Sequence, residues 1–333
     1  MPSQARHRFS IDQTTQDQRL DRFLRHHFPA IPHALIQKLL RKRNIRVENR
    51  RATAKTRLQM GETVEIWADL SEFQQARSGK AERLERMKNS RRFRSFFRPL
   101  HEDRSILVLD KPAGIVVHPS RGHRKGDSLL DLVEAHLSDA VDAKDGFKPA
   151  FAHRLDQGTS GIIVLAKTRT AAGILESFFR TQQVEKRYIV LVNGNVPPDK
   201  GVINLGIEEE RRPSGITRFK ASRAPDAREA KTKFEVLERL KDTTLLKVDL
   251  GTGRTHQIRV HFSALGNPVV GDGEYGNKGL NRSHRERLGI RRIFLHASEL
   301  EIPHPDTGTV LRFESPLPAE LESVVESLRG PGE

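Results

Sequence analysis

The sequence predicts an α+β fold: a large domain on a mixed, largely antiparallel sheet flanked by helices and loops, preceded by a small α/β module. Three observations carry this expectation. Strand-length apolar runs recur beyond residue 100, many of them separated by short turns, which favours antiparallel pairing. They do not alternate regularly with helical patterns, which argues against a doubly wound parallel sheet. Residues 17 to 67 show instead two helical apolar patterns followed by two short strand-like pieces. At 333 residues the chain accommodates one large domain or two ordinary ones.

Taken in order, residues 1 to 16 read as a flexible N-terminus without an apolar segment able to form a signal peptide core. In the module at 17 to 70, Leu20, Phe23 and Leu24 mark one helix face, and Leu35, Ile36, Leu39 and Leu40 mark a second. Ile45 to Val47 and Thr63 to Trp67 read as strands. Arg22, Arg25, Lys38, Arg41, Lys42, Arg43 and Arg46 lie off the apolar faces. Such residues can form a merely solvated face, but their density on so small a module favours contacts to a nucleic-acid backbone. Residues 71 to 100 read as a basic linker. Its Phe93, Phe96 and Phe97 either dock it onto the next domain or stack on unpaired bases, with docking preferred.

The large domain is expected over 101 to 325, with a flexible C-terminus at 326 to 333. ILVLD and GIVVHP flank Lys111-Pro112-Ala113-Gly114 as a strand-turn-strand signal, and SLLDLVEAHL reads as a helix. GIIVLA, YIVLV, TKFEVLERL, TLLKVDL, FLHASELEI and VLRFE read as strands.

Lys plus Arg number 58 against 43 Asp plus Glu, a formal charge of +15 with pI near 10.3. That balance points to a polyanion, nucleic acid ahead of an anionic membrane. The longest apolar runs, such as Ile162 to Ala166, are strand-sized, so no membrane span is expected and the cytoplasm is the expected compartment. Zero cysteines exclude disulfides, thiolate metal sites and a cysteine nucleophile. No obligate protein partner is evident.

Three segments place polar functional groups beside apolar strands. In His153-Arg154-Leu155-Asp156-Gln157-Gly158-Thr159-Ser160-Gly161, two glycines permit tight geometry around one carboxylate. Asp156 is open to two roles: a reactive group on a fixed loop, or a cap bonding the amides of its own turn. GTGRTHQIRVH, residues 251 to 261, lacks the ending of a phosphate-binding loop, so nucleotide triphosphate use is unsupported. His256 and His261 with His153 and His296 match no recognised metal-ligand spacing, and no metal is expected. Arg254 and Arg259 suit phosphate or carboxylate partners. Tyr188, in Lys186-Arg187-Tyr188, is either ordinary core or an aromatic platform under a base.

HRLDQGTSG resembles the signature of the RluA-type pseudouridine synthases. ILVLDKPAGIVVHP, KRYIVLV and GTGRTHQIRVH agree with the same family in the same order, and VGDGEYG and FLHASELEIPHPDTG look like its closing pattern. The resemblance spans roughly residues 101 to 316. Residues 17 to 67 resemble the ribosomal-protein-S-four-type RNA-binding module, except that the turn after Val47 reads Glu-Asn-Arg where Asn-Gly is common.

The resemblance implies a cofactor-independent isomerase that converts particular uridines in RNA to pseudouridine, with large-subunit rRNA the favoured target over tRNA. By position, Asp156 would be the catalytic aspartate and Arg259 its partner. Tyr188 would stack on the target base. Arg154, with His153 beside it, would hold or displace the flipped nucleotide, and Arg254 would contact RNA. The carboxylate would act either covalently on the sugar or as a base assisting loss of uracil. A non-catalytic RNA-binding factor is the competing reading. A metal-dependent nuclease would need clustered carboxylates, and none lies near Asp156 in sequence.

Overall fold

The computed structural model describes residues 6–28, 33–68, 82, 84–119, 127–137, 147–211 and 217–329. The chain divides into two compact units, Met1–Ser90 with Ala135–Gly146, and Arg91–Glu134 with Phe147–Glu333.

In the first unit, strands β1 (Arg6–Ser10), β2 (Ile45–Val47), β3 (Arg50–Arg51) and β4 (Thr63–Trp67) form an antiparallel sheet ordered β1-β4-β2-β3. Helices α1 (Leu20–His27) and α2 (His33–Arg41) accompany it, and Leu20, Phe23, Leu24, Ile36, Leu40, Ile45, Val64 and Ile66 share its core. Two helices and two strands thus stand where the apolar spacing put them. The expected flexible N-terminus is corrected: residues 6–10 are an edge strand, with Phe9 packed edge-on against Phe23 and Phe28. With Phe9 its one apolar residue, RHRFS has no alternation to read as a strand, and β4 supplies the edge on which it pairs. Arg22, Arg25, Lys38, Arg41, Lys42 and Arg43 are all exposed, while the Arg46 guanidinium lies 4.7 Å from the Trp67 ring centroid.

The β2–β3 turn departs from Asn-Gly without losing its geometry. Glu48 and Asn49 both adopt positive φ, 47° and 57°, as a two-residue hairpin of this hand requires. The Glu48 carboxylate accepts the Thr63 N–H at 2.6 Å, and Asn49 accepts from Arg46 at 2.9 Å.

The second unit begins earlier than expected. Residues 91–100 belong to it rather than to a linker, through α3 (Arg91–Phe96) and β5 (Pro99–Glu102), which pairs with β6 (Ile106–Lys111). Phe93 stacks on the buried Phe97 at 4.7 Å, so these rings pack within the protein. GIVVHP is not a strand. After Gly114, at φ 94°, the chain turns from β6, and Val116 makes only an isolated bridge to Ser128 while Ile115 and Val117 are buried. The SLLDLVEAHL helix is present as α4 (Leu129–His136).

The remaining strands are β7 (Ala150–Phe151), β8 (Ser160–Ala166), β9 (Glu185–Asn193), β10 (Lys200–Asn204), β11 (Gly206–Arg211), β12 (Thr217–Ser222), β13 (Lys231–Leu240), β14 (Thr243–Leu250), β15 (Leu295–Pro303) and β16 (Val310–Glu314). The main sheet runs β10-β13-β14-β9-β15-β8-β6-β5, with β16 on β15 and β7 on β8; β11 and β12 form a separate hairpin. Helices α5 (Arg169–Arg180), α6 (Gln257–Ala264) and α7 (Lys278–Leu288) were not apparent from the sequence pattern. The last helix, α8 (Ala319–Arg329), corrects the expected flexible C-terminus as far as residue 329: Val325 is buried and Arg329 pairs with Glu238.

Among the described residues, all pairings in the main sheet are antiparallel except one, β8 with β15, which meet through Ser160–His296 and Gly161–Ala297. This seam joins the two halves of the sheet. Gly161 has φ 112°, and a Cβ there would lie 2.1 Å from the Ala297 carbonyl oxygen. Gly161→Ala is therefore expected to cost at least about 3 kcal/mol, from combined backbone strain and overpacking. A urea unfolding curve that does not move would show that the seam relaxes freely.

Candidate active site

The loop that carries Asp156 enters the seam immediately before β8, and two contacts hold its backbone. Gly114 and Gln157 exchange hydrogen bonds, N–H to carbonyl at 2.7 Å and side-chain amide to carbonyl at 3.2 Å. Lys111, fully buried, donates to the carbonyls of Thr159 (2.6 Å), Pro112 (3.1 Å) and Gln157 (3.3 Å). Burial pulls its pKa down to about 7, with the Asp156 charge opposing; three acceptors match the three protons of an ammonium. A lysine inside a turn motif gave no sign in the sequence that it would pin this loop.

Asp156 faces a cavity of about 530 Å³ walled by Tyr188, Leu295, Phe179, Thr252 and Arg254. Arg259, in the first turn of α6, donates from Nη1 to Asp156 Oδ2 at 2.9 Å. Its Nε and Nη2 grip Asp272 at 2.8 and 2.9 Å, and Nη2 also reaches Glu274 at 3.1 Å. Burial works against the guanidinium's charge, but Asp272 and Asp156 raise its pKa above the ordinary value. Of the two arginines in this motif, Arg259 is the carboxylate partner. Arg254 is exposed at the cavity and donates to the Glu229 carbonyl at 2.9 Å. Gln257 organises the turn between them, accepting from Thr252 and the Arg254 N–H and donating to Lys231 and Thr232.

Tyr188 lies on β9 between Val248 and Ala297, only 6 % exposed. Burial, and secondarily the Asp156 charge, push its phenol pKa up, so the ring is a neutral wall. Arg154 is exposed, and its charge is felt at His118. His153 stacks on Phe179 at 4.8 Å and accepts the Val164 N–H through Nε2 at 3.2 Å. Burial, aided by Lys186, lowers its pKa to about 3, so it serves as a neutral anchor of the loop.

The histidines do not converge. His261 bonds Thr232 and the Leu205 carbonyl, and His296 bonds Ser160 and the Ser315 carbonyl. No group able to hold a metal occurs among the described residues. Asp272 and Glu274, far from Asp156 in sequence, come within reach of the same arginine. A guanidinium already occupies the centre of the three, which makes this an ion-pair network. Sequence reasoning weighed His256 only as a metal ligand and missed Tyr275. His256 adopts φ 56° and ψ 21° at the start of α6, with Nε2 3.6 Å from Asp156 Oδ1. The available signal was that Tyr275, the second of only two tyrosines, sits beside two acidic residues in GDGEYG.

Fold and site together place one carboxylate, paired to a buried arginine, at a cavity with an aromatic wall. The chain belongs to the RNA pseudouridine synthase family. The RNA pseudouridylate synthase family model matches residues 105–264. Ribosomal large subunit pseudouridine synthase C of Vibrio vulnificus (strain CMCP6) is 31% identical over 96% of this chain and 95% of its own length. Ribosomal large subunit pseudouridine synthase D of Nitrosomonas europaea is 33% identical over 93% and 84%. Among solved structures, human RNA Pseudouridylate Synthase Domain Containing 4 superposes with a TM-score of 0.56 at 25% identity, covering 75% of this chain and 95% of that one. The protein is thus an isomerase acting on RNA. No helix among the described residues is long and apolar enough to cross a membrane.

Proposed function

We propose that this enzyme converts uridine to pseudouridine in large-subunit rRNA, with Asp156 as the catalytic carboxylate. The observation that carries the reading is the 2.9 Å Arg259–Asp156 pair at a cavity walled by Tyr188. A volume of about 530 Å³ suits a single flipped nucleotide. In the reaction the bond from ribose C1′ to N1 breaks, the uracil turns, and C5 bonds to C1′. The C5 proton is lost to solvent and N1 gains one, so neither a redox carrier nor an energy source is needed.

Arg259 aims Asp156 at the sugar, where the carboxylate attacks C1′ or assists departure of uracil. Tyr188 stacks on the base and retains it while it turns. Arg154, two residues from Asp156, occupies the gap left by the flipped nucleotide. Arg254 grips the neighbouring backbone, while His153 shapes the loop floor. The ribosomal names of the relatives with near full-length coverage favour rRNA. The test is tritium release from RNA labelled at uracil C5, run on separate large-subunit rRNA and tRNA pools. Release from rRNA is expected; release from tRNA alone would overturn the target, and release from neither would overturn the activity.

The first unit acts as an S-four-type RNA-binding module whose exposed Arg22, Arg25, Lys38, Arg41, Lys42 and Arg43 contact backbone phosphates. Neutralising Arg41, Lys42 and Arg43 together should weaken RNA binding and flatten its log–log salt dependence by about 0.7 for each phosphate no longer neutralised. An unchanged slope in a filter-binding titration would count against this module as an RNA-binding surface.

A further inference from the structure

Both partners of the Asp156–Arg259 pair lead to one side chain, Tyr275. It is 6 % exposed, and two guanidiniums lie on its ring, Arg259 and Arg218, each 4.8 Å from the centroid. Its hydroxyl accepts the Phe219 N–H at 3.2 Å and meets His256 Nδ1 at 2.9 Å. Arg218 and Phe219 belong to β12 of the separate hairpin. Arg218 also donates to the Glu274 carbonyl at 2.9 Å, and the Phe219 ring stands edge-on to His256 at 5.7 Å. The hairpin is therefore bolted to the residues that surround Asp156.

The same junction reaches Asp156 through the His256 ring. The Tyr275 oxygen accepts from the Phe219 amide, and His256 Nδ1 and Glu274 are the acceptors within reach of its own proton. Glu274 already accepts from Arg259 at 3.1 Å. Donation to Nδ1 leaves the ring proton on Nε2, where it faces Asp156 Oδ1 across 3.6 Å. On its other side His256 Nδ1 lies 3.6 Å from Glu274 Oε2, so the imidazole stands between the two carboxylates that Arg259 also reaches. His256 also holds a left-handed backbone conformation, φ 56°, of the kind that persists only when its surroundings over-determine it.

We propose that Tyr275 is a positioning residue for the Asp156–Arg259 pair, and that through it the β11–β12 hairpin belongs to the catalytic apparatus. This rests on the reading of Asp156 given above. Tyr275 orients His256 through its hydroxyl and Arg259 through its ring, while Arg218 and the Phe219 amide fix Tyr275 in turn. The hairpin then acts on the rate of the chemical step rather than on RNA affinity alone.

The test is single-turnover tritium release at saturating enzyme for Tyr275→Phe, Arg218→Ala, Arg218→Lys and the Arg218→Ala/Tyr275→Phe double variant. RNA affinity and thermal unfolding are measured alongside. Arg218→Ala and Tyr275→Phe should each lower the rate about tenfold, on the scale of one cation–π contact or one hydrogen bond. RNA affinity should stay within about twofold. Arg218→Lys should recover most of the loss, and the double variant should fall short of the product of the singles. Arg218 is partly exposed, so its substitution tests the coupling even if a change at Tyr275 disturbs folding. Unchanged rates with weakened binding, or with lowered melting temperature alone, would overturn the proposal. Asp156→Ala run in parallel separates the two failures. An active Asp156→Ala sinks the underlying reading, and an inactive one beside unaffected hairpin variants sinks only this inference.

Discussion

Asp156→Ala is expected to lower turnover at least about 10³-fold, the scale on which loss of a reacting carboxylate falls. RNA affinity should change by less than about twofold. The separation follows from the geometry. Asp156 contributes one of several carboxylates around Arg259, and the guanidinium keeps its bidentate grip on Asp272 when Asp156 is removed. Arg154 and Arg254, the cations proposed to meet RNA, are exposed, and Arg254 is held by the Glu229 carbonyl rather than by Asp156. Tritium release and filter binding with the purified variant check both halves, and turnover above about one-hundredth of wild type would refute the assignment.

Arg259→Ala should damage stability as well as rate. Asp272 is 1% exposed and takes two hydrogen bonds from this guanidinium. Removing the partner strands a buried carboxylate, at about 3–5 kcal/mol. Arg259→Lys should recover part of the stability but little of the activity, because a point-like ammonium cannot bind Asp272 in bidentate fashion and reach Asp156 as well. The pH dependence has a definite sign. Burial pushes the Asp272 carboxyl up, but the hydrogen bonds and charge of Arg259 bring it below the usual carboxylate range. A lowered carboxyl pKa stabilises the fold above the unfolded value and loses that contribution as pH falls through the folded one. The stability gap between wild type and Arg259→Ala should therefore be full at neutral pH and narrow in acid below the ordinary carboxylate range. Urea unfolding across that range is the check, and a gap constant into acid would remove the Arg259–Asp272 pair as its source.

The strands GIIVLA, YIVLV, TKFEVLERL and TLLKVDL were legible because each is a continuous or alternating apolar run bounded by turns. GIVVHP carries the same pattern and is not a strand, since an apolar run records burial and not pairing. Residues 6–10 and 326–329 failed in the opposite direction. Their ordering depends on β4 and on the apolar cluster around Leu321, partners distant in the chain. Asp156 stood out as a lone carboxylate between a basic pair and a glycine-bounded turn. Arg259 stood out only within its motif.

Local composition and short-range spacing were enough for the α+β class, the basic surface of the first unit, and the segments that bring Asp156, Tyr188 and Arg259 to the site. The family resemblance had already implied Arg259 as the partner of Asp156, whereas long-range packing alone selected which carboxylates surround Arg259 and the route by which a hairpin residue reaches the site through Tyr275. Those choices depend on the parallel seam between β8 and β15 and on the seating of α6 beside GDGEYG. Contacts between residues about 100 positions apart, such as Asp156 with Arg259, arise from packing that local propensity does not encode.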